Sequence, residues 1–175
     1  MAICMKVDQR GRLCNLMRRF LQFLLAALGL AGSTLTLAQN TENACGSIVN
    51  HYGPYDYRTQ QAKLKIVEEY HFTPAVEALV RGKSSSIDGD IGYTLRASPN
   101  HHRALLALAR LADRLNVAQT RDAGYSVECF FDRAIRFAPD DTVVRVLYAQ
   151  FLQKRGRPDA AMTQLDVAVD LAKDH

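Results

Sequence analysis

The sequence has no tryptophan, only five prolines and few stretches in which apolar and polar residues alternate with period two. These absences argue against a sandwich or barrel, which is built from many short alternating strands divided by turn residues. There are four cysteines but no C-x-x-C, and neither Cys45 nor Cys129 has a histidine at ligand spacing beside it. Metal and haem sites have no anchor in such a pattern. His101 and His102 are adjacent, so on a helix start their side chains diverge by about 100° and cannot share one metal. Asp88, Gly89, Asp90 and Gly92 lack the full ligand series and the closing glutamate of a calcium loop. Glu68 and Glu69 point apart, and no Ser/His/Asp order stands out, so neither paired-carboxylate nor triad catalysis is indicated. The expectation is a protein that is not an enzyme and needs no metal and no cofactor.

Charge of one sign is abundant only at the start. Lys6, Arg10, Arg12, Arg18 and Arg19 face a single Asp8, and Phe20 to Leu30 is an almost unbroken apolar run. This pattern reads as an export signal over residues 1–38, cut after Ala38, where Thr36 and Ala38 are small and Gln39 opens a polar stretch. The alternative is an uncleaved inner-membrane anchor, since Phe20 to Ala38 is nineteen residues and a span needs roughly twenty. The chain's 22 basic and 18 acidic residues divide as five and one in residues 1–38 and as 17 and 17 in the rest. The remainder is therefore neutral, which removes the net basic surface that nucleic-acid binding needs. A periplasmic or secreted protein is expected, meeting the membrane only if the leader stays. Cys45 and Cys129 remain after the leader goes, and in an oxidising compartment they can form a disulfide. That bond would close a loop of about 85 residues and contribute roughly 4 kcal/mol. Otherwise Cys129 is a buried small hydrophobe and Cys45 a loose thiol.

With 48% hydrophobic residues, much of it alanine and leucine, the chain has enough apolar mass for one helical core. Val143, Val144, Leu147, Tyr148, Phe151 and Leu152 recur at three- and four-residue spacing and predict a helix from Asp141. Lys154 to Pro158 then supply basic residues, a glycine to turn on and a proline to open the next helix. That next helix carries Ala161, Met162, Leu165, Ala168, Val169 and Leu171 and should fold back on the first. Leu105, Leu108, Ala109, Leu111 and Ala112, followed by Val127, Phe130, Phe131, Ala134, Ile135 and Phe137, repeat the plan. Pro139 closes that unit, and Asp140 or Asp141 is placed to cap the next helix. From Pro99 to Pro139 is a step of about forty residues, within the range of helical-hairpin repeats.

These residues resemble the tetratricopeptide repeat, a helix-turn-helix of about thirty-four residues. Ala149, Gly156, Ala161, Leu165 and Ala168 fill its places in the C-terminal unit. Leu105, Leu108, Ala109, Phe131, Ala134 and Pro139 fill them in the middle unit, which carries about six extra residues around Val117 to Gly124. The resemblance covers about half the chain and implies an all-α fold, a short stack of antiparallel helical hairpins over residues 72–175 after an N-terminal signal helix. It also implies a concave groove lined by the first helices, here by Arg103, Leu106, Arg110, Asp113 and Arg114 with Val143, Val146, Gln150 and Gln153. Arg103, Arg110 and Arg114 stand at steps of seven and four, on one stripe. Guanidinium forks there would suit an acidic or carboxylate-ended peptide or protein. The function so implied is a protein interaction module or adaptor in an envelope or secretion assembly.

Between leader and repeats, residues 39–71 hold one helix, Gln60 to Tyr70, and the run His51-Tyr52-Gly53-Pro54-Tyr55-Asp56-Tyr57-Arg58. Gly-Pro enforces a turn there, and Asp56 with Arg58 can form an ion pair. Its tyrosines either seal the open end of the helical stack or form an aromatic, sugar-contacting platform. Two other functions are open to such a chain. A small ligand-binding protein or enzyme would place His51, Asp56 or His71 in a deep pocket by the tyrosine loop, and a structural mount would self-associate.

Overall fold

Four residues fix where the main helices begin. Ser86, Ser126 and Asp141 each stand in extended backbone and accept the N–H of Gly89, Cys129 and Val144, satisfying donors that a helix start leaves open. His101 does the same for Ala104 through Nδ1, at 3.2 Å. The computed structural model describes residues 44–173. Its elements are α1 (Gln61–His71), α2 (Pro74–Glu77), α3 (Ile87–Ala97), α4 (His102–Leu115), α5 (Val127–Phe137), α6 (Thr142–Lys154) and α7 (Pro158–Lys173). No strand occurs among the described residues, so the all-α expectation holds for them. The export signal read in residues 1–38 lies outside them. α2 is a single turn, ended where Leu79 enters the left-handed region at φ 58°.

Alanines and leucines make α4 the centre of the core. It packs against α2, α3, α5 and α6. Its buried Leu105, Leu108 and Leu111 meet Ile91 and Leu95 of α3, Val127, Phe130 and Phe131 of α5, and Val144 and Phe151 of α6 in one apolar cluster. Each such side chain contributes about 1.5–3 kcal/mol by leaving water. α6 and α7 pack closely through the small residues Ala149 and Ala161 beside Leu152. Arg145 Nη1 donates to Gln164 Oε1 at 2.8 Å, so the two helices run antiparallel. Gly156, at φ 71°, makes the turn between them.

The apolar face expected on α7 is only partly covered. Met162, Leu165 and Val169 do not face α6; they form an exposed stripe beside the buried pair Ala161 and Ala168. The small residues take the contact because they allow the closer approach of the two backbones. The extra residues expected between α4 and α5 pack back onto the fold. After a left-handed cap at Asn116 they return to α3, where Arg96 Nη1 donates to Ala123 O at 2.9 Å and the Asp122 N–H to Asp88 Oδ2 at 2.7 Å. Gly92 of α3 permits this, since a Cβ there would stand 2.3 Å from Ala123 O.

The segment before α1 is tied down along its length. Cys45 is joined to Cys129 of α5 in a disulfide, with Cα atoms 4.9 Å apart. Arg133, also on α5, is 1% exposed and donates through Nη1 to the carbonyls of Cys45 and Ser47. With no carboxylate partner among the described residues, this buried cation lies 4.7 Å from the Tyr125 ring centroid. Tyr52, Tyr55 and Tyr57 pack with Tyr93 on Leu64, Val67 and Ala97.

Candidate functional site

The groove residues inferred from sequence divide into three groups. Leu106, Arg110 and Asp113 of α4 and Gln150 of α6 line one shallow cleft together with the apolar Ala109, Phe131, Leu147 and Phe151 and with Lys154. Arg103 and Arg114 share the stripe with Arg110 but are engaged elsewhere. Arg103 bonds both carboxylate oxygens of Glu77 and lies 5.5 Å from the Phe72 ring centroid, and Arg114 donates to Leu79 O at 3.3 Å. Val143, Val146 and Gln153 are exposed on α6 outside the cleft.

Charge inside the cleft is uneven. Asp113 is flanked by Lys154 at 3.3 Å and Arg155 at 3.4 Å. Arg110 is exposed and makes no ion pair among the described residues. The cleft therefore offers an apolar floor, a side-chain amide and one guanidinium whose donors meet no acceptor among the described residues.

A second constellation has no counterpart as a unit in the sequence pattern. Asn100, fully buried between α3 and α4, donates from Nδ2 to Asp56 Oδ1 at 2.8 Å and to Asp141 Oδ2 at 2.9 Å, and its Oδ1 accepts the Tyr57 N–H at 3.0 Å. His102 Nε2 donates to Asp141 at 2.8 Å. Arg58 binds Asp56 through Nη2 and Asp140 through Nη1, at 2.7 and 2.8 Å. The Arg58 guanidinium, aided by the Asn100 amide and against the cost of burial, holds the Asp56 carboxyl far below the usual carboxylate range. Sequence spacing supplied the Asp56–Arg58 pair and the Asp141 cap. It carried no sign that Asn100 joins them across some forty residues. The buried members of the network, Asn100 and Asp141, meet their partners within the protein, so the network fixes the N-terminal segment onto the helix starts.

Compared with family models, with curated proteins and with solved structures, the chain matches none of them. Among the described residues no cluster of three or more His, Cys, Asp or Glu side chains is placed to hold a metal ion. No helix of theirs is long and apolar enough to cross a membrane.

His101, beside this network, carries a pH dependence. It is fully buried, its Nδ1 accepts the Ala104 N–H, and its Nε2 lies 3.0 Å from Glu68 Oε1. Both ring nitrogens are thus satisfied only in the neutral, Nε2–H form. Burial depresses the imidazole pKa below 6.5, against the opposing pull of Glu68. As pH falls through 6.5 the unfolded chain takes a proton that the folded one refuses, so stability declines with acidity. The urea midpoint is expected to drop between pH 7 and pH 5 in the wild type. It should drop less in His101→Asn, which keeps a capping side chain but cannot titrate; equal slopes would contradict the assignment.

Proposed function

We propose that this is an exported helical-repeat adaptor of tetratricopeptide type that holds a carboxylate-bearing segment of a partner protein across α4 and α6. The observation that carries the reading is Arg110, a guanidinium without a partner among the described residues, set beside the apolar floor of Leu106, Leu147, Phe131 and Phe151. Such a pair of features suits a short segment with an acidic residue or free C-terminus next to an apolar side chain: the fork takes the carboxylate and the floor takes the neighbour. Two further features agree with the adaptor reading. The α6–α7 pair joined by Gly156 is a helical hairpin, the kind of unit such a repeat would use, and the Cys45–Cys129 bond suits an oxidising compartment such as the periplasm.

The test is a fluorescence-polarisation screen of peptides ending in an apolar residue and a free carboxylate, against the same peptides amidated. Hydrogen bonds to a charged group contribute about 1.5–3 kcal/mol, so Arg110→Glu is expected to weaken binding by roughly tenfold or more. Amidation should do the same. Peptides held equally by wild type and Arg110→Glu would remove the groove from consideration.

A further inference from the structure

A second cavity, of about 190 Å³, opens between α1, α3 and the tyrosine-bearing segment, lined by Tyr52, Ile66, Val67, Tyr70, His71 and Tyr93. It shares no residue with the α4–α6 cleft. From the structure we infer that it binds a single neutral six-membered ring bearing a hydroxyl group, anchored by His71 Nε2.

The imidazole is set in place from two sides. Its ring stacks on Tyr93 with centroids 3.9 Å apart and planes 23° from parallel. Its Nδ1 lies 3.0 Å from Oδ1 of Asp90, which is 0% exposed. Asp90 also accepts from the Lys83 and Ser84 N–H groups at 2.6 and 3.0 Å and from Ser85 Oγ at 3.0 Å. A carboxylate surrounded by donors is held ionised, so Nδ1 carries the proton toward it. The lone pair is then on Nε2, which has no partner among the described residues. A carboxylate behind a histidine fixes its tautomer, the arrangement used to orient metal-binding imidazoles. No second histidine or carboxylate lines this cavity to complete a metal site, and what remains is an acceptor for a hydroxyl.

The walls select the rest of the ligand. Three tyrosines, an isoleucine and a valine offer flat and apolar surface and no charge of their own, which favours a neutral ring over an ion. Drug-sized ligands occupy roughly 300 Å³ or more, so a cavity of about 190 Å³ takes one ring and not two. Tyr52 is not free to turn away, because its hydroxyl donates to Lys63 O at 2.9 Å. A hexopyranose unit and a phenol share this chemistry.

Saturation-transfer NMR on protein expressed from the full chain would test the site with two probes, methyl β-glucopyranoside and p-cresol. One of them is expected to saturate and to name the source, with cyclohexane-carboxylate as the charged control giving no signal. His71→Asn keeps a donor toward Asp90 and removes Nε2, and Tyr70→Ala removes a wall that is 49% exposed. Each should weaken the bound probe at least fivefold with the urea midpoint unchanged, while Arg110→Glu leaves binding as it was. If neither probe saturates, or if both variants bind as the wild type does, the assignment is overturned. If His71→Asn unfolds, Tyr70→Ala alone decides it.

Discussion

Reducing the Cys45–Cys129 bond, or replacing both cysteines with alanine, is expected to lower the free energy of unfolding by about 4 kcal/mol, the chain-entropy value for a loop of this length. The bond spans 84 positions, and long loops gain most from closure because the open chain has most freedom to lose. The N-terminal segment also covers Arg133, whose buried guanidinium relies on two carbonyls of that segment in place of a counter-ion. Once the segment lifts, water reaches this cation, which is why the loss should not greatly exceed the entropic figure. Urea titrations with and without reductant measure the effect. Coincident midpoints would show that the segment contributes nothing to the folded state.

Asp141→Ala is the second large loss, about 3–5 kcal/mol, the range for removing one partner of a buried ion pair. The residue is 2% exposed and serves three roles at once. It caps α6 through Val144, it takes the Nε2–H of His102, and it takes one hydrogen of the Asn100 amide. Alanine leaves one hydrogen of the buried Asn100 amide without a partner and takes the acceptor from the partly exposed His102. The wild-type carboxyl is also a source of acid sensitivity. Burial opposes its ionisation, but His102, Asn100 and the Val144 N–H outweigh that and hold its pKa below 3.8. Its contribution is therefore complete above 3.8 and disappears as pH falls through the lower folded value. Asp141→Asn, which can still cap, should lose less than the alanine variant. Thermal or urea unfolding of the two at pH 7 orders them, and an alanine variant within about 1 kcal/mol of wild type would mean that the network is ornamental.

Periodicity carried the fold as far as periodicity reaches. Leu105, Leu108, Phe130, Phe131, Val144 and Phe151 stand at helical spacing and meet in the core, because a helix that buries one face must repeat its apolar residues every three or four positions. α7 shows where this fails: Ala161 and Ala168 are buried while Met162, Leu165 and Val169 beside them are exposed, since the pattern marks an apolar half-cylinder but not which edge a neighbour covers. Caps were legible where the residue is an ordinary one, as at Asp141, and hidden where a histidine takes the role, as at His101. The cleft residues were legible only through the repeat resemblance. Whether an arginine on that stripe is engaged depends on Glu77 and Leu79, and no pattern within α4 reports on α2 or on the turn at its end. Asn100 and the His71–Asp90 pair have no periodic signature, because hydrogen bonds between distant positions leave none.

The order in which the molecule assembles depends on where its ties fall. α6 and α7 are neighbours in sequence and find each other across a three-residue turn, whereas the segment from Cys45 to Arg58 closes onto residues some forty to ninety positions away. Contacts of short range form early and those of long range late. The chain is thus expected to build from its C-terminal helices backward, with the segment around Cys45 the last to lock.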